Sequence, residues 1–304
     1  MLAWLCYAIC AVVWGSTYFA IALGIESFTP FGLVATRFTV GAALALGLGR
    51  LLREPWPEKR DWPHLMLVGA LLLSGSNALV TWSEARVSSG VAAIVCALVP
   101  VALALWSREA LGARTWIGLG LGLLGVGILT DPLHGKAHGG SGYLLGIGAL
   151  LLATTIWGFG TLHGKKHVKS GGLITQVGIQ MLTAAVIGLG MAPLSGGYIH
   201  HPVTAKAGLA ALYLGVFGSL IAFSAYIYLS KVWNPAKMGT YAYLNPLVAV
   251  LLGSLFLAEP FNLRMVLGMV VILAGVAIVQ LRPASRVQPL RARSRGEGPR
   301  EEVA

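Results

Sequence analysis

Residues 114–130 read RTWIGLGLGLLGVGILT, and residues 264–280 read RMVLGMVVILAGVAIVQ. Laid over each other, Arg114 falls on Arg264, Gly118 on Gly268 and Gly125-Val126 on Gly275-Val276, an offset of 150 residues that also pairs Glu109 with Glu259. Further toward each N-terminal side, Ala97-Leu98-Val99-Pro100 meets Tyr243-Leu244-Asn245-Pro246 at an offset of 146. Val13-Trp14-Gly15 meets Ile156-Trp157-Gly158 at 143, the offset that also sets Arg37-Phe38 against Gln180-Met181. The offset grows by four between Pro100 and Glu109, about one helical turn, so helix faces stay nearly in register. The chain reads as two copies of one unit, and the number of membrane spans in each copy decides the fold.

Composition says where those copies live. Of 304 residues, 22 are Lys or Arg and 11 are Asp or Glu, so 11% are charged, against about a quarter in a soluble domain. The hydrophobic fraction is 56% and the mean hydropathy +0.76. A soluble globule of this length cannot hide so much apolar surface, and the apolar excess also excludes a disordered or collagen-like chain. A hydrocarbon core takes about 20 apolar residues per helix. Ten such runs are present, at 3–23, 31–51, 64–81, 88–106, 115–130, 142–161, 172–191, 207–229, 235–257 and 263–281. The first is read as a span rather than a cleaved leader, since no basic start or small-residue cleavage site accompanies it. Cys6, Cys10 and Cys96 lie in apolar runs without a CxxC, so a disulfide framework and a zinc site are not expected.

Charge placement orients the spans. Lys and Arg collect on the cytoplasmic side of membrane proteins. With the N-terminus inside, inner segments hold Arg50, Arg53, Lys59, Arg60, Arg108, Arg114, Lys165, Lys166, Lys169, Lys231, Lys237 and six tail arginines, seventeen in all. Outer loops hold four: Arg86, Lys136, Lys206 and Arg264. Both termini are therefore expected in the cytoplasm. Five spans per copy is an odd number, so the second copy enters the membrane from the opposite side. The expected fold is an all-α membrane protein of ten transmembrane helices in two inverted five-helix repeats, 1–135 and 140–282, followed by a disordered basic tail at 283–304. Inverted repeats are a mark of secondary carriers, whose opposed halves exchange inward- and outward-facing states around a central site.

Several short motifs carry a resemblance. Trp14-Gly15-Ser16-Thr17, Ala35-Thr36-Arg37-Phe38, the small residues before Pro100, Asn245-Pro246, Leu257-Ala258-Glu259-Pro260 and the Gly-rich last helix resemble the EamA-type transporters of the drug/metabolite superfamily. Their order and doubling cover roughly residues 3–281. The one departure lies around Gly112, where the first half has Leu-Gly-Ala-Arg in place of the second half's Ala-Glu-Pro. The resemblance implies a bacterial inner-membrane carrier that exports amino acids, metabolites or amphipathic compounds. It also implies that the first four helices of each half surround a central cavity, with the fifth at the periphery.

Arg37 is the ionisable side chain read as lying within a span, and such a group is a functional candidate. Its guanidinium suits a carboxylate; the alternative is a side chain that snorkels to the outer surface or caps helix carbonyls. Gln180 holds the equivalent place in the second half. Trp14, Tyr18, Asn77, Trp157, Tyr241 and Asn245 complete the substrate-binding set, being polar or aromatic side chains of the kind that line a mostly apolar pocket or bond across helices. Pro100 and Pro246 are read as hinges that interrupt their spans at equivalent positions. No carboxylate is expected deep in the membrane, because Glu26, Glu84, Glu109, Asp131 and Glu259 fall at span ends.

Other chemistries find less support. His163 and His167 are four apart, but they are assigned to an inner loop without the His-Glu-x-x-His pattern, while His134, His138, His200 and His201 share the outer face. Gly158 to Lys166 has the wrong spacing for a phosphate loop. No cofactor, resident metal or nucleic-acid partner is expected. The arginine-rich tail faces anionic lipid, and the partners are the bilayer, a small-molecule substrate and, in a homodimer, a second copy, the monomer being the other reading. The rival function, an intramembrane enzyme acting on lipid-linked substrates, would need clustered acids or histidines at membrane depth.

Overall fold

A computed structural model describes residues 1–87, 89–107, 112–130, 141–256 and 263–280. Glu109, the 257–260 motif, the 131–140 loop with Asp131, His134, Lys136 and His138, and the 283–304 tail lie outside the described residues. The described chain is all-helical, apart from one isolated β-bridge between Phe28 and Ile199. Ten helices follow in order: α1 (Leu2–Gly24), α2 (Pro30–Leu51), α3 (Lys59–Glu84), α4 (Ser89–Cys96 and Val99–Ser107), α5 (Ala113–Thr130), α6 (Ser141–His167), α7 (Leu173–Leu194), α8 (Ala205–Val232), α9 (Pro235–Gly239 and Tyr241–Phe256) and α10 (Leu263–Gln280). Among the described residues, α1, α2, α3, α6, α7 and α8 are long and apolar enough to cross a membrane. Helices suit that solvent because each satisfies its own backbone hydrogen bonds where no water can. Large outward side chains such as Leu144, Leu145, Leu255 and Leu263 remain exposed, as lipid-facing residues are.

Helices at matching places in the two halves pack on one another. α2 lies against α7 and α5 against α10, while α1 packs on α8 and α9 as α6 packs on α3 and α4. The doubled Gly-rich stretches beginning at Arg114 and Arg264 form the α5–α10 contact. A Cβ on Gly275 would stand 2.7 Å from the Gly118 carbonyl oxygen and 2.7 Å from the Gly122 amide nitrogen, and one on Gly125 would stand 2.6 Å from the Ile272 nitrogen. Glycine lets the two backbones touch here.

α2 and α7 run antiparallel and are tied at both ends. At one end Thr29 caps α2, accepting from Gly32 N at 3.0 Å, and donates to the Gly197 carbonyl at 2.6 Å, while the Thr29 amide donates to the Tyr198 carbonyl. At the other end Glu54 accepts from the Thr175 amide at 2.8 Å and the Thr175 hydroxyl at 3.1 Å, capping the start of α7 from the opposite half of the chain. That second end also carries Arg50, Arg53, Lys165, Lys169 and Lys231 and forms the basic face of the protein.

Asp61 tightens the basic face. It lies in the 3₁₀ turn Lys59–Asp61, ahead of the apolar part of α3, and its Oδ2 accepts from the amides of Lys169 (2.8 Å) and Ser170 (2.7 Å) and from the Ser170 hydroxyl (2.7 Å). Burial works to raise this carboxyl, but the Ser170 and Lys169 bonds, with Arg60 alongside, outweigh it and hold the group below the usual carboxylate range. A carboxyl depressed in the folded state stabilises the fold above its unfolded value of about 3.9, and that contribution is lost as the pH falls through the lower folded value. Asp61→Asn is therefore expected to cost about 1–3 kcal/mol at pH 7. Thermal melts in detergent should show this as a Tm lower by roughly a few degrees, with the gap from wild type closing below about pH 4. A gap independent of pH would refute the assignment.

Two sequence expectations about helix limits change. α6 continues to His167 rather than stopping near 161, which puts His163, Lys165, Lys166 and His167 on a helix instead of in a loop. Pro100 does begin a new helical piece, with α4 broken between Cys96 and Val99, but Pro246 sits inside the unbroken piece Tyr241–Phe256. The interruption of α9 falls earlier, at Thr240. There the Thr240 hydroxyl donates to the Lys237 carbonyl at 2.9 Å and meets the Tyr7 hydroxyl of α1 at 2.9 Å.

Candidate functional site

The helices that build the central cavity carry an irregularity in common. α3 is π-helical over Gly69–Ser76 and α8 over Leu214–Ile221, at matching places in the two halves. A π-helical stretch widens the turn and loosens backbone carbonyls, a feature frequent at functional sites. Two of these carbonyls take side-chain donors: Trp14 Nε1 donates to the Gly218 carbonyl at 2.9 Å, and Asn77 Nδ2 to the Leu72 carbonyl at 2.9 Å.

Around these stretches α1, α2, α3, α4, α6, α8 and α9 enclose a cavity of about 90 Å³, room for several waters at roughly 10–15 Å³ each. Seven residues named from the sequence line it: Trp14, Tyr18, Arg37, Asn77, Trp157, Tyr241 and Asn245. The described residues of α5 and α10 do not. Arg37 is 3% exposed. Its Nε donates to Ser219 Oγ at 3.2 Å and its Nη1 to Asn77 Oδ1 at 3.3 Å, while Nη2 hydrogen-bonds none of the described residues. The side chain is thus held inside the protein by α3 and α8 and does not snorkel. Asn245, with its amide nitrogen turned to the acceptors around it, donates to the carbonyls of Ala11 (3.1 Å) and Tyr241 (3.2 Å) and joins α9 to α1.

Aromatic rings crowd the opposite wall. Trp14 stands edge-on to Trp157 with ring centroids 5.4 Å apart, and it lies 5.1 Å from Tyr226 and 5.0 Å from Tyr241. Trp157 Nε1 donates to the Tyr226 hydroxyl at 2.8 Å, and Tyr226 meets the Thr161 hydroxyl at 2.6 Å. Thr161, one turn beyond Trp157, faces a second cavity of about 380 Å³ toward the basic face. The Trp157–Tyr226–Thr161 chain therefore lies between the two cavities.

Gln180 belongs to the second cavity, not the central one. It shares that space with Gln176, Lys165, Lys169 and Lys231, and its buried Oε1 has no hydrogen-bond partner. Lys231 Nζ donates to Gln176 Oε1 at 2.8 Å, and Lys165 Nζ to the Trp233 carbonyl at 3.0 Å. The separation from Arg37 follows from direction. Arg37 lies early in α2 and Gln180 equally early in α7, but α7 starts at the basic face and α2 at the other, so equal sequence position means opposite displacement from the middle.

Some groups went unrecognised in the sequence. Ser219 contacts Arg37, and a usable signal existed, because the offset of 143 that aligns Trp14 with Trp157 also carries Ser76 onto Ser219. Thr154 and Cys96 line the cavity without such a signal. Glu84 does end α3 as expected, yet both carboxylate oxygens are buried and without hydrogen-bond partners, and the group interacts electrostatically with Arg37. An acid enclosed by protein thus accompanies the arginine.

The sequence matches the EamA-like transporter family over residues 2–130 and again over residues 144–281. It is 35% identical over 277 residues to an Escherichia coli K12 protein named an uncharacterized inner membrane transporter, YedA, covering 89% of this chain and 88% of that one. A Streptantibioticus cattleyicolor protein named a probable terminal-alkyne amino-acid exporter is 29% identical, over 90% of this chain and 92% of its own. A solved structure, described only as the crystal structure of a protein, shares the fold at a TM-score of 0.74 and 22% identity, covering 92% of this chain and 96% of that one.

Proposed function

The chain belongs to the EamA-like transporter family, and on that premise we propose a secondary-active carrier that exports small carboxylate-bearing metabolites, amino acids foremost, by alternating access. The proposed architecture is the inverted pair of repeats, 1–135 and 140–282, in an inner membrane with both termini and the basic face toward the cytoplasm. The pairwise packing of α2 on α7 and α5 on α10, together with matching π-helical stretches in α3 and α8, supports the inverted arrangement.

One observation carries the substrate class: a buried arginine, fixed by two side chains and with Nη2 making no hydrogen bond to the described residues, set in a cavity whose other lining groups are neutral. A carboxylate docking on that nitrogen makes a charge-assisted bond in a low-dielectric setting. The apolar and aromatic wall accepts the rest of a small amphipathic molecule. Ahead of it, the cavity lined by Lys165, Lys169 and Lys231 offers an anion a favourable entry from the cytoplasmic side. In this reading the Trp157–Tyr226–Thr161 chain is the inner gate, and the breaks before Pro100 and at Thr240 absorb the rocking of α4 and α9.

The test is counterflow in proteoliposomes. Purified protein should accelerate exchange of some amino acids or organic acids from a broad panel and not that of their decarboxylated amines. Acceleration of the amines alone, or of nothing, would reject the reading.

A further inference from the structure

Three imidazoles meet at the basic ends of α3 and α6. His64 follows Pro63 in the first helical turns of α3, and His163 and His167 stand one turn apart at the end of α6. His64 Nδ1 is 3.0 Å from His163 Nε2. The His167 ring stacks on both others, with centroids 4.8 Å from His64 and 4.3 Å from His163. One ring nitrogen from each of the three falls within 4.8 Å of the other two.

The arrangement has the features of a metal tripod. Nitrogens bound to one tetrahedral ion at about 2.0–2.1 Å stand roughly 3.3 Å apart, so the His64 and His163 nitrogens, which at 3.0 Å can share a proton as a hydrogen bond, need to part by only a few tenths of an ångström to ligate one ion. His167 Nδ1 lies 3.0 Å from the His163 carbonyl oxygen. It must donate its proton there, which leaves the lone pair on Nε2, and a backbone carbonyl holding the far nitrogen is the usual support of a ligating histidine. All three rings are half-buried. Beside His163 and His167 opens a cavity of about 520 Å³, lined also by Trp106, Phe159, Lys166 and Pro235, with room for a water or anion as fourth ligand. Neutral imidazoles without oxygen ligands suit zinc, nickel or copper rather than magnesium or calcium.

We infer that His64, His163 and His167 form a binding site for a divalent transition-metal ion, which ties α3 of the first half to α6 of the second. The site stands apart from the central cavity, and its existence does not depend on the transport reading. Full-length protein on a histidine-free tag, in detergent, is titrated with Zn²⁺ by calorimetry and loaded with Cu²⁺ for electron paramagnetic resonance. One Zn²⁺ per chain and nitrogen couplings from three imidazoles are expected. His64→Ala, His163→Ala and His167→Ala should each weaken Zn²⁺ affinity tenfold or more and remove one nitrogen coupling. Replacing His134, His138, His200 and His201 together should change neither. If an alanine variant fails to elute as a folded species, the coupling count in the wild type and in the four-histidine variant decides. Absence of binding, fewer than three couplings, or loss of binding in the four-histidine variant would overturn the site.

Discussion

Arg37→Gln is expected to abolish proteoliposome flux of carboxylate substrates while leaving the protein folded. Arg37 is buried and already held by Ser219 and Asn77, so its position costs a bound substrate little ordering. Removing it deletes the cation that lines the central cavity. One or two charge-assisted hydrogen bonds at about 1.5–3 kcal/mol each convert to a loss on the order of 10–10⁴-fold in transport efficiency. Glutamine can place its amide nitrogen where the Arg37 Nε stands, within reach of Ser219, and the loss of the cation beside the buried Glu84 should lower the melting temperature without unfolding the protein. Glutamine is also the residue that the second half carries at the equivalent position. Arg37→Lys keeps the charge but loses the planar fork, and an intermediate loss is expected. Unchanged carboxylate flux in Arg37→Gln would show that the arginine is structural and remove the main support for the substrate class.

Gly275→Leu should act through stability alone. A Cβ at this position would press on the Gly118 carbonyl and the Gly122 amide, each 2.7 Å away, and backbone cannot yield as a flexible side chain would. α5 and α10 must separate, at a cost of about 1–3 kcal/mol or more. In detergent melts that is a Tm lower by on the order of 2–10 °C. Gly275→Ala should lie between, because it adds the clashing atom but no branch. The described residues of neither helix line the central cavity, so flux per folded molecule at low temperature should stay near wild type. Wild-type melting, or lost flux in fully folded protein, would each contradict the peripheral packing role.

What could be read in the sequence was what composition and repetition encode locally. Hydropathy marked the ten helices, and the doubled Arg114–Gly118 pattern anticipated two helices that turn out to pack on each other. Arg37 stood out because an ion among apolar residues is rare. Relations across the two halves were less legible. Repeat alignment groups Gln180 with Arg37 because it preserves distance from a helix start, whereas the antiparallel packing of α2 on α7 sends the two residues toward opposite faces. Nothing in the sequence joins His64 to His163 and His167, since 99 residues separate it from the nearer one and α6 runs past the end of its apolar run. Hydropathy loses a helix where lysines begin, although the backbone goes on winding past the hydrocarbon. Proline lacks an amide donor, so Pro246 reads as a break, but transmembrane helices tolerate proline where neighbours support it, and the break in α9 falls at Thr240, six residues before it.

The double fastening of α2 to α7 bears on mechanics. Thr29 and Tyr198 join the pair at one mouth, and Glu54 and Thr175 join it at the other. A pair clamped at both mouths is not the pair that opens. In the proposed alternating-access cycle α2 and α7 would be the fulcrum, and the helices around the two π-helical stretches would swing. The halves would tilt about a post made from one helix of each, so Arg37, mounted on that post, stays still while the walls move past it.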